Sequence, residues 1–229
     1  MATPVGIVIF LTRCATPWFP LLSDPLQATS TLLPSLRDEY PEWHRGRQRY
    51  ALWSLPVDCP AVLQRLHEAR RLLGDWLHPV QGRQAHISLF ICGFPCAQPY
   101  HDDDIGTAVL QAQHSALAGL NAAPFDLRLG GLDSFASAAF LGVKDDGQLD
   151  QLRQVLSPLS SEIRQVAYVP HLTVGIYRQA VSADHWRERA EPLRDCSPLT
   201  LAVRELQLVS YAARELQGPL RIEARVALA

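Results

Sequence analysis

One order of segments occurs twice in this chain, and that recurrence limits the folds open to it. Residues 50–57 (YALWSLPV) are apolar and aromatic and read as a buried strand. Residues 61–76 place Val62, Leu63, Leu66, Ala69, Leu72, Leu73 and Trp76 at helical spacing. Residues 85–94 (AHISLFICGF) alternate and read as a strand closed by Gly93 and Pro95. A second helix is expected from Asp102, Asp103 and Asp104 to about Asn121, its acidic start complementing the helix dipole. A strand at 125–132 follows. The order then returns: strand 138–143, helix 147–161, strand 168–177, helix 182–193 and strand 199–211, with a last strand at 220–228. From strand start to histidine the interval is 36 residues in the first copy and 33 in the second. The trailing strands also match, Gly131-Leu132-Asp133-Ser134-Phe135 beside Gln207-Leu208-Val209-Ser210-Tyr211.

Two long copies are too few for a solenoid. They fit an α+β class instead: a bilobal, duplicated fold with two antiparallel sheets and flanking helices around a central cleft. The lobes would span roughly residues 48–135 and 136–229. Residues 1–47 hold six prolines and no long periodic pattern, so they read as a partly irregular extension with one strand at 5–11. Such an extension either wraps the domain or is an over-long start of the reading frame, and the sequence does not separate the two.

A body of this kind needs a sizeable core, and the composition supplies it. The chain has 229 residues, 48% of them hydrophobic, and a formal net charge of -2. A disordered chain would be poorer in apolar residues, and a long nucleic-acid track would leave a basic balance. Lys144 is the only lysine among 21 basic residues, so any cationic clamp here is an arginine. Five scattered cysteines, Cys14, Cys59, Cys92, Cys96 and Cys196, point to a reducing cytoplasm rather than a disulfide framework. No apolar run approaches the roughly 18 residues of a membrane span. Residues 5–11 lack a preceding basic residue and a small-residue cleavage site, so a secretory leader is not expected.

Each copy carries one short motif: His86-Ile87-Ser88-Leu89 and His171-Leu172-Thr173-Val174. On a strand, residues i and i+2 share a face, so each histidine sits beside a hydroxyl while the apolar residues face the core. A single such motif is ordinary packing. The pair, at matching places in two similar units, brings two imidazoles and two hydroxyls around one cleft. Histidine titrates near pH 6.5, so one ring takes a proton while the other gives one. Ser88 and Thr173 would donate to non-bridging oxygens as charge grows. Phosphoryl transfer at a phosphodiester fits this set without a metal.

The two motifs, with Val169-Pro170-His171-Leu172-Thr173-Val174 around the second, resemble the 2H phosphoesterase superfamily, in its LigT-like or 2′-5′ RNA ligase branch. The resemblance covers about residues 48–228. It implies His86 and His171 as acid and base, Ser88 and Thr173 as phosphate-binding hydroxyls, and no cofactor. It implies a 2′,3′-cyclic phosphate or 2′-5′ linkage at an RNA 3′ end or in a small nucleotide as substrate. His171 is the working choice for the base that activates water, with His86 protonating the leaving oxygen; the quasi-symmetric site allows either assignment. No protein partner is implied, and a monomer is the expectation. Two rival readings remain open: a module that binds a nucleotide or RNA end without turnover, and a reversible 2′-5′ RNA ligase.

Three further residues are substrate-binding candidates. Tyr177 would stack on a base, Arg178 would reach a phosphate, and Phe90 continues the face of His86 and Ser88. Arg83 and Arg128 are weaker. Cys92, Cys96 and His101 lie near zinc-finger spacing but lack a fourth ligand, so no metal site is assigned.

Overall fold

The structure, a computed structural model, describes residues 31–32, 41–163, 167–215 and 217–229. The strand expected at 5–11 lies outside them. The described chain runs β1 (Thr31–Leu32), α1 (Pro41–His44), β2 (Arg49–Pro56), α2 (Pro60–Leu73), a 3-10 turn (Gly74–Trp76), β3 (His86–Cys96), β4 (Asp104–Gly106) and α3 (Thr107–Gly119). It continues β5 (Phe125–Ser134), β6 (Ala138–Lys144), α4 (Gln148–Leu156), β7 (His171–Ile176), β8 (Val181–Ser182), α5 (Ala183–Arg194), β9 (Leu199–Val203), β10 (Glu205–Ala212) and β11 (Arg221–Ala227).

The α+β class expected from the sequence is what forms. The main sheet runs β11-β10-β2-β3-β7-β6-β5-β9, with β4 alongside β3. It has two antiparallel arms, β11-β10-β2-β3 and β7-β6-β5-β9, joined by a single ladder pair, Ile87↔Leu172. The order reads the same from either end under the duplication. The trailing strands cross over: β5 pairs with β6 and β10 pairs with β2, so each arm draws strands from both copies. The helices cross too, since α2 packs on β7 and β9 while α4 packs on β3.

Burial follows the periodicity. Val62, Leu66, Ala69 and Leu73 of α2 are buried, as are Leu149, Leu152 and Leu156 of α4. One polar knot sits inside: the Trp53 indole N–H donates to Gln113 Oε1 at 3.0 Å, and Gln113 Nε2 donates to Ser160 Oγ at 2.9 Å. Fully buried polar groups need such partners.

Two expectations are corrected. The single strand at 199–211 is two strands on opposite arms, divided at Arg204. Buried positions fall at Leu201 and Val203, then at Leu206 and Leu208, so the alternation slips by one residue at the break. The acidic run at 102–104 does not start a helix. Asp104 opens β4, and α3 begins at Thr107. Arg47 pins the run instead, donating to Asp103 Oδ1 at 2.5 Å and Asp104 Oδ1 at 2.6 Å. Burial works against the charged form of Asp104, but its carboxylate also accepts from the backbone N–H groups of His101 and Tyr100, and these bonds together with Arg47 pull its pKa down. Among the described residues no helix is long and apolar enough to cross a membrane.

Candidate active site at the junction of the two arms

The Ile87↔Leu172 pair fixes the geometry of the site. In antiparallel register it sets His86 opposite Thr173 and Ser88 opposite His171. Ile87 and Leu172 are buried in the core. The four flanking residues are half-buried on the other face and line one cavity of about 220 Å³. They form a quadrilateral with the histidines on one diagonal and the hydroxyls on the other.

Both imidazoles are anchored in the same way. His86 Nδ1 lies 2.9 Å from the Gln84 carbonyl oxygen, and His171 Nδ1 lies 2.7 Å from that of Val169. A carbonyl only accepts, so Nδ1 carries a hydrogen in each ring and Nε2 is the atom left to exchange a proton. The ring of His171 also meets Phe135 and Phe140 edge-on, with centroids 4.9 and 5.5 Å away. Burial pushes the His86 pKa down to about 4 against the pull of the Gln84 carbonyl, and the nearby Arg83 charge lowers it further.

At the last residue of each motif the strand carries a β-bulge. Opposite β2, Leu89 is the extra residue, between Ser54↔Ser88 and Trp53↔Phe90. Opposite β6, Val174 is the extra residue, between Phe140↔Thr173 and Ala139↔Gly175. The two bulges lie 85 residues apart, the same separation as the two histidines. A bulged residue loses its ladder partner, and an arginine takes up each orphan carbonyl. Arg153 of α4 donates to Leu89 O at 2.6 Å, and Arg70 of α2 donates to Val174 O at 2.9 Å.

The bulges explain where two substrate-binding candidates go. Alternation carried through from the histidines puts Phe90 and Tyr177 on the cleft face, but the extra residue reverses the phase. Phe90 is buried in the core. Tyr177 is fully buried, its hydroxyl 2.6 Å from Ser134 Oγ. Arg178 is exposed outside the cavity, with its backbone N–H on the Trp76 carbonyl. Ile91 and Ile176 line the cavity in their place. Tyr177→Phe is therefore expected to cost about 1 kcal/mol of stability, the typical worth of one internal hydrogen bond, with KM unchanged; paired denaturation and kinetics check both halves.

Sequence reasoning missed Trp43, Arg70 and Tyr211, which also line the cavity, and ranked Arg83 low. The Arg83 guanidinium lies 4.1 Å over the Tyr211 ring. Trp43 sits in the supposed extension and stacks edge-on with Tyr50 at 5.0 Å. No local pattern announces it. The zinc-like residues are spread apart: Cys92 Sγ contacts Gln113 in the core, Cys96 Sγ contacts Ile105 O, and His101 Nδ1 meets Arg45.

Residues 58–215 match the model of the 2′-5′ RNA ligase superfamily. The chain belongs to that superfamily. No curated protein matches it by sequence. Solved structures share the superfamily fold: Escherichia coli LigT complexed with 3′-AMP is 16% identical, with a TM-score of 0.55 over 80% of this chain and 99% of LigT. TT0787 of Thermus thermophilus is 18% identical, with a TM-score of 0.52 over 78% of this chain and 97% of that one. The resemblance to 2H phosphoesterases in the sequence is thereby borne out.

Proposed function

We propose that this chain is a metal-independent phosphodiesterase that hydrolyses 2′,3′-cyclic phosphates at RNA ends or in small nucleotides. The observation that carries the reading is the matched anchoring of His86 and His171 at opposite corners of one cavity, with Ser88 and Thr173 at the other two. Water attacks phosphorus, and the bond to one ribose oxygen breaks. One Nε2 takes the water proton while the other gives a proton to the departing oxygen, leaving a phosphomonoester and a free hydroxyl. The hydroxyls of Ser88 and Thr173 donate to the non-bridging oxygens where charge accumulates. LigT, which shares the fold, binds 3′-AMP; a nucleoside phosphomonoester is the kind of product this reaction leaves.

The electrostatics favour His86 as base, opposite to the working choice made from the sequence. Its depressed pKa keeps it neutral at physiological pH, ready to accept a proton. The acid limb of kcat/KM is then expected with an apparent pKa below 5, because only the neutral ring works and it is lost as pH falls through about 4. A pH–rate profile of wild type beside H86A measures this, and an acid limb near 6.5 would reverse the assignment. Stability shares the sign. The unfolded chain protonates His86 below about 6.5 and the folded one only near 4, so stability declines as pH falls across that window. The activity itself is tested by incubating the protein with 2′,3′-cyclic nucleotides and cyclic-ended oligoribonucleotides, with EDTA present, and identifying products. One phosphomonoester isomer supports the reading, and tight binding with no product overturns it.

A further inference from the structure

The pseudo-twofold symmetry holds along the two motif strands and fails at the arginines behind them. Residues 85 apart correspond throughout the site: His86 with His171, Ser88 with Thr173, Gln84 O with Val169 O, Leu89 O with Val174 O, and Ile91 with Ile176. The arginines on the two bulge carbonyls correspond as well, but their surroundings differ. Arg153 is neutralised: its Nη2 donates to Glu162 Oε2 at 2.6 Å, and its guanidinium lies 4.0 Å over the Tyr168 ring. It does not line the cavity. Arg70 is half-buried and does line the cavity, with both motif histidines. Among the described residues no carboxylate pairs with it.

A half-buried guanidinium with no counter-ion is costly unless an anion completes it. Nε is spent on Val174 O, which fixes the plane of the group one residue beyond Thr173. The Nη groups are left as a rigid fork suited to two oxygens of a phosphate. We propose that Arg70 is a catalytic residue that grips one non-bridging oxygen of the scissile phosphate, on the Thr173 side only, and so makes a quasi-symmetric site read its substrate in one orientation. This rests on the phosphodiesterase reading. It assigns to α2 a role that neither histidine motif implies.

A one-sided grip distinguishes the two non-bridging oxygens. Wild type is expected to discriminate between the Rp and Sp diastereomers of a 2′,3′-cyclic phosphorothioate by about tenfold or more, since sulfur weakens whichever contact it replaces. R70Q should lose about 10²–10³ in kcat/KM, and the Rp/Sp ratio should fall toward one. R70K keeps a charge and a donor for the bulge carbonyl, so it should remain folded even if R70Q does not, and its diastereomer ratio should collapse too. A change in that ratio is beyond a residue that merely braces the bulge. Titration with inorganic phosphate, followed by NMR, reads the contact without turnover: binding should weaken about tenfold or more in R70K and R70Q. If wild type turns over cyclic phosphates and the arginine variants keep its diastereomer ratio and phosphate affinity, Arg70 is a brace and the inference falls alone. If no form turns over substrate but phosphate binding still weakens, the hydrolase reading falls and the Arg70 contact stands.

Discussion

H86A and H171A are each expected to lose about 10²–10⁴-fold in kcat on a 2′,3′-cyclic nucleotide, the usual worth of a positioned acid or base. Both rings sit half-buried on the cavity face, away from the core side occupied by Ile87 and Leu172, so both variants should stay folded. The double variant should lose little more than the worse single one, because acid and base serve one transition state and their losses do not add. Steady-state kinetics with circular dichroism on the same samples checks this. Full activity in either single variant would remove that histidine from the reaction. Losses that simply multiply would mean that the two rings contribute independently and are not coupled through one proton relay.

Arg153→Ala is expected to cost about 3 kcal/mol of stability. Glu162 keeps only 9% of its side chain exposed and would lose its cation, and Leu89 O would lose its donor. Removing one partner of a buried pair typically costs about 3–5 kcal/mol, and the lower end applies because Arg153 retains 19% exposure. Chemical denaturation measures it. The remaining folded protein should keep the wild-type preference between phosphorothioate diastereomers. Arg153 and Arg70 hold matching bulges, so a large stability effect in one and a large catalytic effect in the other is what distinguishes brace from clamp. A stability loss below about 1 kcal/mol would mean that the Arg153–Glu162 pair behaves as an exposed surface bridge.

The sequence carried the fold further than it carried the site. Alternation in 85–94 and the helical spacing in 61–76 located β3 and α2, because burial on one face repeats with the period of each element. The duplication set the two histidine motifs at equivalent positions, and a face rule placed Ser88 and Thr173 beside them. The same rule failed at Phe90 and Tyr177. A β-bulge inserts one residue and reverses every later side chain, and nothing in Leu89 or Val174 marks it locally. Arg70 reads as an ordinary polar position on an amphipathic helix, since its meaning comes from α2 crossing to the other arm. Trp43 lies among prolines with no period to read. The break between β9 and β10 was legible in principle, because the buried positions slip by one at Arg204.

Net charge acquires a narrower meaning. A value of -2 argues against a long electrostatic track. A cavity gripping one phosphate needs only local donors, and in this nearly lysine-free chain the cations that line it among the described residues, Arg70 and Arg83, are arginines.

If two histidines from two copies of one unit act on the same phosphorus, a crystal structure of the protein with inorganic phosphate or vanadate will hold a single anion, with Nε2 of His86 and Nε2 of His171 each about 3 Å from its oxygens and the Ser88 and Thr173 hydroxyls on the other diagonal. An anion held by one histidine alone, or rings turned away from each other, would contradict that shared action.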